Sequence, residues 1–289
     1  MKISQCYISF SLFLIILLCI PSLLFAKAEH RIEKTYTLNR DGKVYLEVKS
    51  GDIVVNSWDK NEIKIIAHKN AMIDMHHTED NIRIIIKRPK SFYCELFIPD
   101  KAHLRVETGS GRVKAHKMGG SLDIRTISGD IEVVTAKNVV RCKTVSGDIH
   151  LEEIAGNADL KTTSGKITVE GIKGSVKAET LSGNIKLEAF SHAEEMEMES
   201  ISGSIKLHGE LSPGGIYGVN SHSGNVEMGI PSDSNFELRV ETFSGDIQCD
   251  FHLKISGKID RKKLQGVVGK GGASMILSSF SGKIRITKR

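Results

Sequence analysis

Two aspartates that directly follow Ser-Gly pairs are the first residues whose type and spacing could do chemistry. Asp130 and Asp148 occupy the same position in two consecutive copies of that pair. Stacked aspartates after glycine bind calcium in some solenoid proteins. Calcium takes about six to eight oxygen ligands, however, and only these two aspartates occur in adjacent Ser-Gly copies. Because Asp and Asn also suit tight turns, we interpret them as turn residues and predict no calcium site.

The same carboxylates, together with Glu152 and Glu153, are the candidates for glycoside chemistry. Glycosidases need two carboxyl groups at a defined separation, one of them with a raised pKa. No nucleophile, base and orienting group converge in this sequence, and each repeat resembles the next. We therefore predict no catalytic site and no cofactor. A carbohydrate-active enzyme is the alternative, and release of reducing or unsaturated sugars would reveal it.

Histidines and cysteines are the remaining metal-ligating types. The densest cluster is His76-His77 with Glu79-Asp80. Nothing in the sequence fixes its geometry, so we interpret it as a solvated loop without a metal.

Three cysteines follow the N-terminal leader: Cys94, Cys142 and Cys249. Cys142 and Cys249 fall at core positions of repeats that are five steps apart by sequence count. That separation corresponds to about 24 Å, which is far beyond disulfide reach. We predict that they do not pair.

Three cations at matching repeat positions form the best candidate binding site. Arg125, Lys143 and Lys161 occupy the third position before the serine in consecutive Ser-Gly pairs. Stacked cations could bind an anionic polymer such as a teichoic acid or an acidic glycan. Asp123 and Asp159 lie alongside, so the competing interpretation is an ordinary solvated face.

A repeated Ser-Gly pair must position all of these residues. Its serines are Ser50, Ser110, Ser128, Ser146, Ser164, Ser182, Ser202, Ser223, Ser244 and Ser281. The spacing is constant from Ser110 to Ser182, lengthens slightly up to Ser244, and is longer again before Ser281. The long first interval, from Ser50 to Ser110, suggests three periods with degenerate turns. A short and regular internal period is typical of solenoids.

Apolar residues alternate on both sides of each Ser-Gly pair. They stand at the sixth and fourth positions before the serine and the third and fifth after it, as in Leu122, Ile124, Ile131 and Val133. The second position before the serine is Thr or Ser in nine of the ten copies. Period-two alternation predicts half-buried strands, and a lone repeat cannot bury its apolar face. The sequence therefore predicts an all-β, single-domain parallel β-solenoid, β-helix-like, built from stacked rungs of about 18–21 residues, in which glycine supplies a positive φ at each turn.

Outward charges support parallel stacking in register. At the fifth position before the serine, successive repeats alternate in sign: Arg105, Asp123, Arg141, Asp159, Lys177 and Glu197. Stacked rungs lie about 4.8 Å apart, so each charge would face an opposite one.

The two ends of the repeat array differ from its middle. Residues 61–100 contain strand-like runs over 62–68, 81–87 and 93–98 without clean Ser-Gly turns. The segment between Ser244 and Ser281 is rich in Lys and Gly, and we interpret it as a surface loop or distorted rung. Lys288 and Arg289 are expected to protect the edge of a terminal strand.

The N-terminus carries an export signal. Lys2 precedes an apolar stretch over residues 8–20, and Ala26-Lys27-Ala28 resembles a cleavage site. We predict a signal peptide over residues 1–28 and a β-solenoid domain over 29–289. The alternative is an uncleaved membrane anchor, because residues 6–26 lack charge. Either form exports the domain to the periplasm, the cell surface or the medium.

Composition excludes some partner classes. The net charge is +5 and falls by two once Lys2 and Lys27 are removed with the leader. Nucleic-acid binders concentrate a stronger basic excess, so we expect no nucleic-acid partner. Aromatic residues make up 6% of the chain and there is one Trp, which disfavours a carbohydrate cleft of stacked rings.

The segment Ser50-Gly51-Asp52-Ile53-Val54-Val55-Asn56-Ser57-Trp58-Asp59 resembles the opening signature of the bacterial "putative adhesin" domain family of unknown function. Phe97-Ile98-Pro99 and the terminal Ser281-Gly282-Lys283-Ile284 also fit that family. The resemblance covers about residues 40–287. It implies a β-solenoid of the bacterial envelope and offers no catalytic residues.

The function we expect is therefore a non-enzymatic, adhesin-like or structural envelope protein. Its partner would be an envelope or surface polymer or protein, bound along an extended face. The alternative within this class is a periplasmic scaffold that self-assembles through exposed solenoid ends.

Overall fold

The structure, a computed structural model, describes residues 31–68, 71–87, 93–255 and 262–289. The described residues form strands and turns without any helix. The strands are β1 (Arg31–Thr37), β2 (Lys43–Val48), β3 (Asp52–Trp58), β4 (Glu62–His68), β5 (Met72–His77), β6 (Asn81–Lys87), β7 (Tyr93–Pro99), β8 (His103–Ser110), β9 (Val113–Met118), β10 (Leu122–Ser128), β11 (Ile131–Ala136), β12 (Val140–Lys143), β13 (Ile149–Ile154), β14 (Ala158–Ser164), β15 (Ile167–Lys173), β16 (Val176–Ser182), β17 (Ile185–Ser191), β18 (Glu195–Ser202), β19 (Ile205–Gly209), β20 (Ile216–Ser223), β21 (Val226–Ile230), β22 (Phe236–Thr242), β23 (Ile247–Cys249), β24 (Lys254–Ile255), β25 (Lys263–Val268), β26 (Ala273–Ser281) and β27 (Ile284–Lys288).

The strands form two long sheets, and the chain alternates between them at each Ser-Gly turn. Sheet A runs in the order β1-β4-β7-β3-β9-β11-β13-β15-β17-β19-β21-β27-β23. Sheet B runs in the order β24-β25-β22-β26-β20-β18-β16-β14-β12-β10-β8-β2-β6-β5. One rung consists of a strand of sheet B, a turn and a strand of sheet A. The central rungs pair in parallel, which confirms the predicted β-solenoid.

The predicted core positions are buried. Ile124 pairs with Cys142 on sheet B, and Ile131 pairs with Ile149 on sheet A. These four side chains are at most 1% exposed. The inward side chains of both sheets form one contiguous apolar cluster, since alternate residues of every strand point the same way.

The glycine of each Ser-Gly turn is required for a reason that differs from the prediction. Only Gly51 and Gly111 among these glycines have a positive φ. At Gly165 a Cβ would lie 1.9 Å from the carbonyl oxygen of Gly147, one rung earlier. The turns therefore stack so closely that no side chain fits between their backbones, and it is this approach that selects glycine.

Buried hydroxyls hold successive turns together. Thr144 Oγ1 donates a hydrogen bond to the carbonyl oxygen of Gly129 at 3.2 Å, and Thr162 Oγ1 donates to Gly147 O at 3.2 Å. Ser200 and later hydroxyls repeat this contact. These hydroxyls satisfy carbonyl groups of the preceding turn, which explains why most copies of the repeat have Thr or Ser at this position, although Thr126 Oγ1 has no hydrogen-bond partner among the described residues.

The N-terminal end departs from sequential stacking. β2 and β3 pair directly with β8 and β9, so the long interval between Ser50 and Ser110 places no rung between these two turns. The prediction of three successive periods there is therefore wrong. Instead β6 and β7 form one rung on the outer side of β2 and β3, and antiparallel β1, β4 and β5 cover the end. The three strand-like runs predicted in this region are β4, β6 and β7.

The C-terminal end uses the same arrangement. β26 lies between β20 and β22, and β27 lies between β21 and β23. In the segment between Ser244 and Ser281, interpreted from sequence as a surface loop or distorted rung, the described residues include antiparallel β24 and β25. Residues 256–261 of this segment lie outside the described residues. The expectation that Lys288 protects a sheet edge is wrong, because β27 is internal to sheet A. Lys288 Nζ instead lies 5.3 Å from the centre of the Phe251 ring. Arg289 donates its backbone N–H to Ile230 O.

The predicted signal peptide, residues 1–28, lies outside the described residues, and its cleavage stays a prediction. Within the described ranges, no helix is long and apolar enough to cross a membrane.

Candidate functional site

The outer face of sheet B carries the charge ladder in the predicted register. Arg105 pairs with Asp123, Asp123 with Arg141, and Arg141 with Asp159. The ladder continues through Lys177. Stacking in register is therefore confirmed. We call residues at the same repeat position a column. Most of the ion pairs on this face join residues of two adjacent columns, not residues within the charge ladder.

The three predicted cations, Arg125, Lys143 and Lys161, also stack as predicted, and we call them the cation column. Arg125 pairs with Lys143, and Lys143 pairs with Lys161, on β10, β12 and β14. Arg125 donates from Nε and a terminal nitrogen to Asp123 at 3.1 and 3.0 Å. Lys161 Nζ lies 3.0 Å from a carboxylate oxygen of Glu179. Two of the three cations are therefore partly neutralised within the chain.

β12 carries Arg141 and Lys143 side by side on this face. Both are exposed, and neither side chain forms a hydrogen bond or ion pair with any other residue that the structure describes. They lie two positions apart on one strand, so both side chains point outward on the same side of the sheet. This strand therefore presents two neighbouring positive charges on the face.

A groove opens beside β12 toward the N-terminal end of sheet B. It has a volume of about 910 Å³, and its lining includes Tyr45, Arg83, Arg105, Asp123 and Arg141. The Tyr45 ring lies between two guanidinium groups, at 4.7 Å from Arg83 and 5.8 Å from Arg105. Cation–π contacts of this kind hold arginine side chains in fixed positions.

Two acids support this arginine–tyrosine stack. Tyr45 donates its hydroxyl to Glu107 at 2.7 Å, and Arg105 Nε donates to the same carboxylate at 3.0 Å. Burial and the bond to Glu107 raise the pKa of Tyr45 to about 12. The bonds from Tyr45 and Arg105 lower the pKa of Glu107. Glu47, the second acid, lies 3.5 Å from the Arg83 guanidinium. The stack therefore keeps its charges at neutral pH, with Tyr45 as a neutral donor.

Two residues of the histidine cluster have partners outside it. His77 Nε2 lies 2.6 Å from the carbonyl oxygen of Thr37, and Asp80 accepts a hydrogen bond from the Asn39 side chain at 2.7 Å. No group of three His, Cys, Asp or Glu side chains suited to a metal occurs in the part of the chain that the structure describes. His76 and His77 instead border the groove.

The turn aspartates have a structural role. Asp130 Oδ1 accepts the backbone N–H of Asp148 at 3.0 Å, and Asp148 Oδ1 accepts that of Lys166 at 2.7 Å. Glu153 accepts a hydrogen bond from Thr135 Oγ1 at 3.0 Å and has a positive φ. Each aspartate thus caps the next turn, as the turn interpretation predicts.

The cysteines are free thiols in the core or close to it. Cys94 and Cys142 are buried, and Cys249 is half-buried. Because β26 and β27 insert before the Ser244 turn, Cys142 and Cys249 are six rungs apart rather than five, about 29 Å. The prediction that they do not pair is consistent with this separation.

Sequence reasoning missed one feature, an exposed apolar ridge. We use this name for the residues immediately before the serine in eight consecutive rungs of sheet B: Ile127, Val145, Thr163, Leu181, Ile201, His222, Phe280 and Phe243. All eight are exposed, and Phe243 is 73% exposed. Phe280 stacks on His222 and on Phe243, with ring centres 4.8 Å apart in both pairs.

The signal for the ridge was present in the repeat alignment. An outward strand position beside a turn is normally polar, whereas this position is apolar or aromatic in most copies. A contiguous exposed apolar surface bordered by polar residues is typical of an interaction site.

The comparison with protein families gives a match over most of the chain. The sequence profile of the family described as Toastrack DUF4097 matches residues 27–287. The chain belongs to the Toastrack DUF4097 family. This extent includes every rung of the solenoid, both capped ends and the groove.

Several solved structures resemble this Toastrack chain. A "putative lipid binding protein" from Parabacteroides distasonis is 14% identical, with 90% of this chain and 98% of that chain covered and a TM-score of 0.48. A "putative adhesin" from Bacteroides fragilis is 13% identical, with coverage of 89% and 96% and a TM-score of 0.43. A "putative cell adhesion protein" from Clostridium sporogenes is 11% identical, with coverage of 90% and 100% and a TM-score of 0.27. A comparison with curated proteins finds no match.

Proposed function

We propose that this Toastrack protein is an exported, non-enzymatic, adhesin-like protein that binds an anionic envelope or surface polymer along the outer face of sheet B. The observation that carries the proposal is the pair of unpaired cations on β12. Arg141 and Lys143 protrude beside a groove in which Arg83, Tyr45 and Arg105 are stacked. The leader sequence and the family resemblance support export to the envelope.

The spacing of the guanidinium groups suits a polymer rather than a small molecule. Arg83, Arg105 and Arg141 lie in one column and occupy every second rung. Two rung intervals are about 9.6 Å, comparable with the length of a disaccharide unit in an extended polysaccharide. Guanidinium groups bind carboxylates and phosphates through two parallel hydrogen bonds. A chain with one acidic group per disaccharide would place an anion near each arginine.

The predicted cations Arg125, Lys143 and Lys161 extend this positive surface toward the turn. Their contributions should be unequal, because Arg125 and Lys161 are engaged by Asp123 and Glu179. Lys143 is expected to contribute most. Replacing all three cations with alanine should weaken polymer binding, and unchanged binding would remove this column from the site.

The decisive experiment measures binding of the purified exported protein to defined polymers. We expect binding to polygalacturonate or teichoic acid that weakens with added salt, and no binding to neutral dextran. Arg141→Ala with Lys143→Ala should weaken binding at least about tenfold, because both unpaired cations are lost. The matched control is Lys137→Ala with Lys173→Ala, which removes the same charge outside this face.

Equal weakening by the control pair would show non-specific attraction and contradict the proposal, as would tight binding of dextran. Incubation with each polymer followed by an assay for reducing ends tests the non-enzymatic part. Sustained release of sugar ends would favour the carbohydrate-active alternative.

A further inference from the structure

The apolar ridge and the charged column beside it change character along the solenoid, and they do so in a self-complementary way. The residues at the third position before each serine lie next to the ridge on the outer face of sheet B. They are basic on β10, β12 and β14, as Arg125, Lys143 and Lys161, and acidic on β16 and β18, as Glu179 and Glu199. The sign therefore reverses between β14 and β16, near the middle of the ridge.

From this pattern we infer that the ridge is a lateral interface for a second copy of this chain, packed ridge to ridge in antiparallel orientation. The two-fold axis lies between the two copies, perpendicular to the ridge, and passes between β14 and β16. It places the charged column of one copy opposite the same column of the other, running in the reverse direction. Lys161 then faces Glu179 of the second copy, and Lys143 faces its Glu199. Two-fold symmetry repeats each pair, as an isologous interface requires.

The shape of the ridge fits the same two-fold rotation. One end protrudes, because Phe280 and Phe243 are stacked and exposed. At the other end the corresponding position is Gly109, so the ridge is interrupted there by a groove lined by Ile127 and Ile85 among others. The two-fold axis sets Phe280 of one copy opposite Gly109 of the other. The aromatic end of each chain would fill the gap in its partner.

A parallel arrangement does not offer this match. With the two copies aligned in the same direction, the acidic and basic halves of the charged column would no longer face each other. Joining through the C-terminal end of the solenoid is also disfavoured. The edge strands there, β23 and β24, have three and two residues. Short edge strands are one way in which sheets avoid end-to-end pairing.

The inference goes beyond polymer binding and shares Lys143 with that site. Arg141 and the Arg83–Tyr45–Arg105 stack lie two residues further along their strands from the turn than Lys143 does.

Charge reversal tests the geometry directly. We expect the purified exported protein to dimerise in sedimentation velocity experiments over a range of concentrations. Lys143→Glu should raise the dimer dissociation constant at least about tenfold, since it sets like charges opposite each other at two symmetric places. Glu199→Lys should do the same. Both changes in one chain should restore dimerisation, and an equimolar mixture of the two single variants should form mixed dimers.

The controls are Lys173→Glu and Glu170→Lys, which reverse exposed charges on sheet A and should leave dimerisation unchanged. Phe280→Ser should weaken the dimer without altering the far-ultraviolet circular dichroism spectrum, which distinguishes a lost contact from a lost fold. A protein that stays monomeric at all concentrations would overturn the inference. A dimer that the double reversal fails to restore would overturn the antiparallel arrangement.

Discussion

Single residues of this chain serve the stacking of rungs more than any chemistry. The hydroxyl of Thr162 satisfies a carbonyl group of the preceding turn, and Asp148 caps the following one. Both residue types would be suspected of catalysis in another setting. In this protein their repetition is the sign of a structural role, because every rung needs the same contacts.

The thiols give a residue-scale prediction. Burial raises the pKa of Cys94 to about 12 and raises the pKa of Cys142 as well. The thiolate is the reactive form, so both side chains should resist alkylation in the native protein. We expect iodoacetamide to modify Cys249 slowly and the other two only after denaturation, as measured by peptide mass spectrometry. Rapid native modification of Cys142 would contradict its place in the core, and a Cys142–Cys249 crosslink within one chain would contradict the rung order.

Glycine at the turns gives a second prediction at this scale. Gly165→Ala should lower the free energy of unfolding by about 2 kcal/mol or more, because the new Cβ would lie 1.9 Å from the Gly147 carbonyl oxygen. Gly218→Ala is the matched control within a strand, where the nearest atom is 3.7 Å away. Urea denaturation followed by circular dichroism measures both. Equal effects of the two substitutions would mean that close stacking of the turns is not what selects glycine.

At the scale of strands, hydrogen bonds to glutamate side chains join neighbouring rungs, as Lys114 to Glu132 and Tyr45 to Glu107 do. The hydrogen bond from Lys114 lowers the pKa of Glu132, and the bonds from Tyr45 and Arg105 lower that of Glu107. A carboxyl group whose pKa is lower in the folded state stabilises the fold fully above its unfolded pKa. That contribution disappears as the pH falls through the folded pKa.

Stability should therefore decline on acidification below a pH of about 4.5, the ordinary value for glutamate. The urea midpoint measured at a series of pH values gives this dependence. Glu107→Gln with Glu132→Gln should make the curve less steep, since two of the carboxyl groups with lowered pKa values have been removed. A curve that is flat in the unmodified protein down to a pH of about 3 would contradict the assigned contacts.

The strands of the central rungs could be predicted from the sequence, whereas the order of the terminal rungs could not. Alternation and a constant period place Leu122 and Val140 side by side, and they pair as expected. The periodicity does not show that β26 inserts between β20 and β22, because every rung has the same apolar pattern and could pack against any other rung. The cation column was predictable because it follows the repeat. Its partial neutralisation by Asp123 and Glu179 was not, since side-chain conformation decides it.

At the scale of the molecule, the first and the last Ser-Gly rungs in the sequence each lie between two other rungs of the stack. β2–β3 lies between β6–β7 and β8–β9, and β26–β27 lies between β20–β21 and β22–β23. Repeat stacks normally fray from their ends, where a rung has one neighbour instead of two. Enclosing both terminal rungs gives each of them two neighbours. A rigid rod of this kind presents extended faces, which suits contact with polymers and with other copies of itself.

Exposure of the protein on intact cells tests the adhesin-like account most directly. Cells that produce the full chain are treated with a membrane-impermeant amine reagent, and lysed cells serve as the control. The account predicts that surface lysines such as Lys137 and Lys173 are labelled on intact cells as fully as after lysis, as measured by mass spectrometry. Labelling that appears only after lysis would place the solenoid inside the envelope and contradict a role in adhesion.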